Sequence, residues 1–368
     1  MSRFLNEQYR DLVPYDTTGE HETGAYIKLN TNESPFSPSP RALKRAAEAA
    51  GTLNFYPDPD AHELTAKVAE LCGVEPKEVL LTCGSDEALL FIFMAFCAKG
   101  AAFPDITYSF YEVLAGLNGI PFETIPLNKD LSLPRGVQRG DSIPLSLNVE
   151  RCLGLGKTLF LANPNSPTGL ALPRAEVERI IQGNRDNIVV IDEAYVDFGA
   201  ETCVPLIHKY DNLLVVQTFS KSRSLAGARL GLCLGQAELI QDLKTIKNSI
   251  TPYNLSGATL AAGLGALEDE EYTRANCRTI MENRAFTAEG LRALGFDVTN
   301  SMGNFLLARH PKFCGGELAK KLKGHGLLVR CYSAPEALVP YVRITIGTRE
   351  QMEALLEALR RIEEEERR

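Results

Sequence analysis

Apolar residues in this chain fall into short unbroken runs separated by longer, helically spaced stretches. Val79-Leu80-Leu81-Thr82, Leu159-Phe160-Leu161, Ile188-Val189-Val190-Ile191 and Leu213-Leu214-Val215-Val216 are apolar at nearly every position. Strands buried on both faces have that pattern, whereas half-exposed strands alternate. Between the runs lie helical stretches such as Asp86–Ala98 and Arg174–Gln182. The alternation predicts an α/β doubly wound domain. Beyond about residue 255 the pattern changes: helices over Glu268–Glu271 and Arg274–Leu294 precede strand candidates at Asn304–Ala308 and Tyr341–Ile346, then a helix from Arg349 onward. We expect an N-terminal arm over 1–34, a large domain over 35–255 and a smaller α+β domain over 256–368.

Composition narrows the function. A formal net charge of −8 with no Lys/Arg cluster argues against a nucleic-acid partner. The longest apolar run, Ala88 to Ala98, is too short to span a membrane, and Met1–Tyr15 lacks the apolar stretch of a signal peptide. Nine cysteines without a C-x-x-C pair read as reduced thiols of a cytoplasmic protein. Five dispersed histidines give no metal-ligand spacing, so no metal is expected.

Ligands of open α/β sheets bind beyond the carboxyl ends of the strands. Val79–Thr82 is followed by Cys83-Gly84-Ser85-Asp86-Glu87 and an apolar helix, in which Ser85 and Asp86 are candidate caps. Alone this is an ordinary helix start; its free N–H groups also suit a phosphate. Leu159–Ala162 leads into Asn163-Pro164-Asn165-Ser166-Pro167-Thr168-Gly169, a turn whose prolines and glycine would aim Asn165 or Ser166 as a donor. Ile188–Ile191 ends at Asp192-Glu193-Ala194-Tyr195. A carboxylate there is costly unless a cation meets it, and a protonated pyridine nitrogen is one such partner. Leu213–Gln217 leads to Ser220-Lys221-Ser222-Arg223, with Arg229 beyond. Nearby arginines would favour the free amine that forms a Schiff base. A phosphate cradle, a ring-hydroxyl partner, a ring-nitrogen partner and an amine are the points where pyridoxal phosphate needs its protein.

These motifs resemble those of the fold-type-I aminotransferases and, within them, the histidinol-phosphate aminotransferase family. The likeness runs through LNTNESP at 29–35, YPDP at 56–59, GSDEA at 84–88, ITYSFYEV at 106–113, NPNSPTG at 163–169, IDEAY at 191–195, FSKSRSLAGARLG at 219–231 and VRITIGT at 342–348. It implies a large domain with a mostly parallel seven-stranded sheet flanked by helices, a smaller α+β domain, pyridoxal 5'-phosphate as cofactor, and transamination between histidinol phosphate and 2-oxoglutarate in histidine biosynthesis. Lys221 would carry the cofactor and move the substrate proton, Asp192 pair with the ring nitrogen, and Tyr195 bond the ring hydroxyl. Tyr108 would stack on the ring, and Gly84, Ser85, Asp86, Ser220 and Arg229 hold the phosphate. Tyr56 would reach the phosphate of a second subunit, making the enzyme a homodimer. Arg343 would bind the glutamate carboxylate, and Arg330, Tyr15 and Asn32 the substrate's phosphate end. One departure stands out: the family has Asn directly before Pro-Thr-Gly, where this chain has Ser166 after Asn165. Asn165 is the expected ring-hydroxyl donor, with Ser166 the alternative. A threonine-phosphate decarboxylase and an aromatic aminotransferase are the rival activities of the same fold.

Overall fold

The structure is a computed structural model that describes residues 2–15, 26–128 and 145–366. Its strands are β1 (Ile27–Leu29), β2 (Val79–Thr82), β3 (Ala101–Pro104), β4 (Phe122–Ile125), β5 (Thr158–Ala162), β6 (Val189–Asp192), β7 (Leu213–Thr218), β8 (Gly231–Gly235), β9 (Asp297–Val298), β10 (Phe305–Arg309), β11 (Leu327–Cys331) and β12 (Tyr341–Thr345). Seven of them form one sheet in the order β2-β8-β7-β6-β5-β3-β4. Neighbours β4 to β7 are parallel and only β8 is antiparallel to the strands beside it.

Alternate residues of a strand face opposite ways, and here both faces are covered. Leu159, Leu161, Val189, Ile191, Leu213 and Val215 enter one apolar cluster, while Phe160, Val190, Leu214 and Val216 enter another on the opposite side. The unbroken apolar runs follow from this double burial. The helices Gly84–Phe96 and Arg174–Gly183 lie where helical spacing placed them, within two residues at their ends.

The second sheet has the order β1-β11-β12-β10-β9 and packs against its own apolar cluster. Its edge strand β1 comes from the stretch expected to be a separate arm, and pairs in parallel with β11 through Ile27↔Leu327 to Leu29↔Val329. The N-terminal segment is thereby fastened to the C-terminal part of the chain. A single helix, Glu270–Ala293, replaces the two expected there.

The helices Pro40–Ala49 and Gly257–Leu267 meet at Gly265, where an added Cβ would lie 2.7 Å from Ala42 Cα and 2.7 Å from the Arg41 carbonyl oxygen. The Arg45 guanidinium also binds Glu268 just past that helix. Gly265→Leu should lower stability by about 1–3 kcal/mol through overpacking, whereas Gly51→Ala, where a Cβ meets nothing within 4 Å, should stay within about 0.5 kcal/mol. Urea midpoints of the two variants check this.

Candidate active site

The site collects at the carboxyl ends of β5, β6 and β7. Asp192 closes β6 beside Val216 of β7, and its carbonyl accepts from the Asn163 N–H at the end of β5. Its side chain is buried. Oδ2 accepts from the Tyr111 hydroxyl at 2.9 Å and Oδ1 from the Ala194 N–H at 3.1 Å. Burial pushes the Asp192 carboxyl up to about 6, while those two donors pull it down. Glu193, turned the other way, is held by the Thr202 hydroxyl, the Cys203 N–H and the Gln217 amide, yet burial still pushes it up to about 7. Hydrogen bonds alone do not replace a counter-ion, so Asp192 favours a cationic partner.

Tyr195 lies three residues beyond Asp192, with its ring edge on Phe305 at 5.0 Å. Its hydroxyl accepts from the Asn32 side-chain amide at 3.0 Å. Lys221 Nζ lies 5.9 Å from the centre of the Tyr195 ring and donates to the Thr31 carbonyl at 3.3 Å. Arg223 pairs with Glu270 and Arg229 with Asp86, so neither faces Lys221 as an isolated cation, contrary to the expectation that they would activate its amine.

The start of the helix Gly84–Phe96 faces Arg229. Ser85 and Asp86 fall inside its first turn rather than at its cap; the preceding Cys83 makes no side-chain capping bond, and Gly84 enters the helix at φ +77°. A Cβ at Gly84 would lie 2.6 Å from Arg229 Nη2, and one at Gly231 only 2.3 Å from the Gly84 carbonyl carbon. Asp86 accepts from Arg229 at 3.0 Å and from the Tyr108 hydroxyl at 2.9 Å. Burial and the nearby Asp86 charge hold the Tyr108 phenol well above its ordinary value. Ser220 is buried and bonds Thr218 through both its N–H and its hydroxyl. Tyr15 sets its ring edge against Tyr108 at 6.2 Å and Phe110 at 6.1 Å.

The turn after β5 is tightly braced. Asn165 donates to the Ile106 carbonyl and the Thr168 hydroxyl, and accepts from Thr107. Both protons of its amide are therefore used within the protein. Ser166 lies within 3.4 Å of Arg343 Nη1, whose Nη2 donates to the Asn30 carbonyl at 2.9 Å. Arg330 stands directly opposite Arg343 across the β11–β12 pair. Asn32 is buried beside Tyr195 and Thr345. Tyr56 stands apart: it is exposed and stacks on Tyr253 at 4.5 Å. Among the described residues the metal-like grouping Asp58, Asp60 and His62 is exposed, and His62 already bonds Asp58.

Three residues escaped the sequence reading. Tyr111 lies in the first turn of the helix Phe110–Leu117, three residues beyond Tyr108, and sets its ring edge against that tyrosine at 5.7 Å. Thr345 follows Arg343 by two, the period that returns to one face of a strand, and Tyr332 is the first residue past β11. Tyr332 is informative because its hydroxyl is buried without a hydrogen-bond partner among the described residues. Burial raises its phenol, while Arg343 and Arg330 lower it.

Three observations test whether pyridoxal phosphate fits. A buried carboxylate favours a ring cation, a glycine-lined helix start beside Arg229 leaves backbone N–H groups for a phosphate, and a tyrosine whose hydroxyl already accepts one bond keeps its own proton to donate. The group fits.

The fold and site together define an aminotransferase: residues 25–359 match the family Aminotransferase class I and II, to which the chain belongs. Within that class it belongs to the histidinol-phosphate aminotransferases. It is 43% identical over 362 residues to the histidinol-phosphate aminotransferase of Pseudomonas putida, covering 98% of this chain and 100% of that one. The enzyme of the same name from Aromatoleum aromaticum is 44% identical over 365 residues, covering 98% and 99%. The fold is shared with the Sinorhizobium meliloti histidinol-phosphate aminotransferase in complex with pyridoxal-5'-phosphate, at TM-score 0.78 and 24% identity over 91% of each chain. The chain is accordingly a pyridoxal-phosphate-dependent enzyme of the fold-type-I architecture.

The raised Asp192 carboxyl has a measurable consequence. An aspartate loses its proton near ~3.9 when unfolded but at about 6 in this fold. Below both values the two states are protonated alike and nothing is lost; above about 6 the folded state bears the whole cost of the buried charge. Asp192→Asn should therefore stabilise the cofactor-free protein by on the order of 2–3 kcal/mol at pH 8 and by roughly a third of that at pH 4.5. Urea midpoints at the two pH values measure it, and equal gains at both would contradict the assignment.

Proposed function

We propose that the chain interconverts histidinol phosphate and 2-oxoglutarate with imidazole-acetol phosphate and glutamate, using pyridoxal 5'-phosphate attached to Lys221. The observation that carries the substrate reading is the register of β11 and β12, which sets Arg330 opposite Arg343. Side chains so placed lie on one face within contact distance, and like charges there repel. An anion between them relieves the repulsion. The two amino donors share one geometry around the reacting carbon: glutamate carries a carboxylate on it, and histidinol phosphate a short arm ending in phosphate. If both donors present that carbon to the same lysine, both anions fall on the same side of the site. Two adjacent guanidinium groups serve either, because Arg binds carboxylate and phosphate alike by paired N–H bonds. The buried Tyr332 hydroxyl is a further donor beside them.

When bound, the cofactor supplies an electrophilic carbon and an electron sink for the Cα–H bond. The chain's own residues do the rest. Lys221 holds the cofactor carbon and, once released, takes the proton from substrate Cα and returns it. Asp192, oriented by Tyr111, keeps the ring nitrogen protonated. Tyr195 donates to the ring oxygen, and Tyr108 lies against the ring. The N–H groups of Gly84, Ser85 and Asp86, with Ser220 and Arg229, bind the phosphate. Ser166 gains weight over Asn165 as the second donor at the ring oxygen, since the Asn165 amide is spent inside its turn. Arg343 takes the carboxylate of glutamate; Arg330 and Tyr15 take the phosphate end of the other donor.

The enzyme acts as a homodimer, with Tyr56 of one subunit reaching the phosphate of the other. Tyr56 is 81% exposed beside Phe55 at 72% and Leu53 at 59%, an apolar patch of the kind that copies of a chain cover. Nine free thiols, five of them buried, suit the reducing cytoplasm.

Two variants test the reading. Lys221→Ala should lose the visible absorbance of bound cofactor and turnover together; retained turnover refutes it. Arg343→Lys should raise KM for glutamate about tenfold or more, since a point charge replaces a two-pronged clamp. Formation of glutamate from 2-oxoglutarate with histidinol phosphate as amino donor, against release of CO₂ from threonine phosphate, measures the activity itself.

A further inference from the structure

Three consecutive residues just past β1 each touch a different part of the active site. The Asn30 carbonyl accepts from Arg343 Nη2 at 2.9 Å, the Thr31 carbonyl from Lys221 Nζ at 3.3 Å, and the Asn32 side-chain amide donates to the Tyr195 hydroxyl at 3.0 Å. The third contact differs from the first two because a side chain makes it. Asn32 is 1% exposed and adopts φ +54°, a left-handed conformation that asparagine tolerates better than most residues. Its other polar atoms are held by the small domain. The N–H donates to Thr345 Oγ1 at 2.9 Å, Oδ1 accepts from the same hydroxyl at 3.1 Å, and the carbonyl accepts from Asn304 Nδ2 at 2.9 Å.

This arrangement fixes proton direction. Thr345 Oγ1 accepts from the Asn32 N–H and gives its own proton to the Asn32 side chain. The atom receiving it must be the amide oxygen, which leaves Nδ2 to face Tyr195. The Tyr195 oxygen therefore receives a proton from Asn32, and its single O–H must point elsewhere. A phenol that accepts a hydrogen bond is also a stronger donor, because the two bonds polarise each other.

We propose that Asn32 is a positioning residue that turns the Tyr195 proton toward the ring oxygen of the cofactor, rather than a residue that grips the substrate phosphate. The inference rests on the reading in which Lys221 carries the cofactor and Tyr195 meets its ring oxygen. Loss of that donor would leave the ring oxygen to hold more tightly the proton it shares with the Lys221 nitrogen. The colour change of the substrate-free holoenzyme with pH would then move upward.

Asn32→Asp is nearly isosteric and can keep the Thr345 bond, but its carboxylate accepts the Tyr195 proton instead of donating to it. In the holoenzyme this variant should raise the midpoint of the pH-dependent absorbance by about one pH unit. It should lower kcat about tenfold with both amino donors, and change KM for histidinol phosphate less than about threefold. Added to Tyr195→Phe, it should shift the midpoint no further than Tyr195→Phe alone. Asn32→Ser, which keeps a donor, should fall between wild type and Asn32→Asp. An unmoved midpoint in Asn32→Asp overturns the proposal, as does a KM increase confined to histidinol phosphate with kcat intact, or an equal midpoint shift by Asn32→Asp when Tyr195 is already phenylalanine. A visible band that survives in the Lys221→Ala variant would instead sink the underlying cofactor reading, which separates the two failures.

Discussion

The whole site is organised around a carboxylate that has been taken out of water. Asp192 ends a strand packed on both faces, and among the described residues its carboxylate accepts from the Tyr111 hydroxyl and the Ala194 N–H. The neighbouring Glu193 makes the comparison useful. It has three donors and is still pushed up to about 7, because desolvation outweighs neutral hydrogen bonds. Among the described residues neither carboxylate is in an ion pair, and a cation is what such a site favours. Asp86 would add a like charge, but Arg229 is tied to it at 3.0 Å. The ion pair at the helix start thus protects the charge balance at the strand end.

A second constraint is the crossing of the chain from its N-terminus to its C-terminal sheet. β1 adds to the edge of β11, and residues 30–32 run on from it between β12 and the residues that follow β6 and β7. Along that path they meet Arg343 and Thr345 on β12 and Lys221 and Tyr195 on the large domain. Backbone carbonyls and one buried amide do the linking. No large apolar contact is needed, and a polar link of this kind fixes direction as well as distance.

Much of this was legible in the sequence. Strands buried on two faces announce themselves as unbroken apolar runs, and β2, β5, β6 and β7 were read that way. The chemistry then lay in the residues following each run, because sheet geometry delivers strand ends to one edge. What escaped had physical reasons. β8 reads Gly-Leu-Cys-Leu-Gly and β3 reads Ala-Ala-Phe-Pro, compositions poor in the β-branched residues that mark strands. They are strands because their neighbours pair with them. The pairing of β1 with β11 joins residues 300 positions apart, as in Ile27↔Leu327, and leaves no local trace. Asn32 looked like a polar ligand residue; its burial and its bond to Tyr195 depend on those distant pairings. Likewise Ser85 and Asp86 lie inside the first helical turn, behind a Gly84 whose φ of +77° composition alone does not specify.

The polarity of the site follows from the direction of its hydrogen bonds. At Asp192 the protein sends a proton inward from Tyr111 to a carboxylate, which is left as an acceptor. At Tyr195 the sequence runs from Thr345 to the Asn32 oxygen and from the Asn32 amide to the phenol, which is left as a donor. One pole accepts and the other donates. A flat ring with an N–H at one edge and an oxygen at another satisfies both poles at once, whereas a ring turned over would set oxygen against carboxylate and N–H against O–H. Each mismatch would leave a buried polar group unpaired, at on the order of 1–3 kcal/mol apiece. The orientation of a ring so held would be decided before the lysine acts, by Asp192, which Tyr111 leaves as an acceptor, and by Tyr195, which Asn32 leaves as a donor.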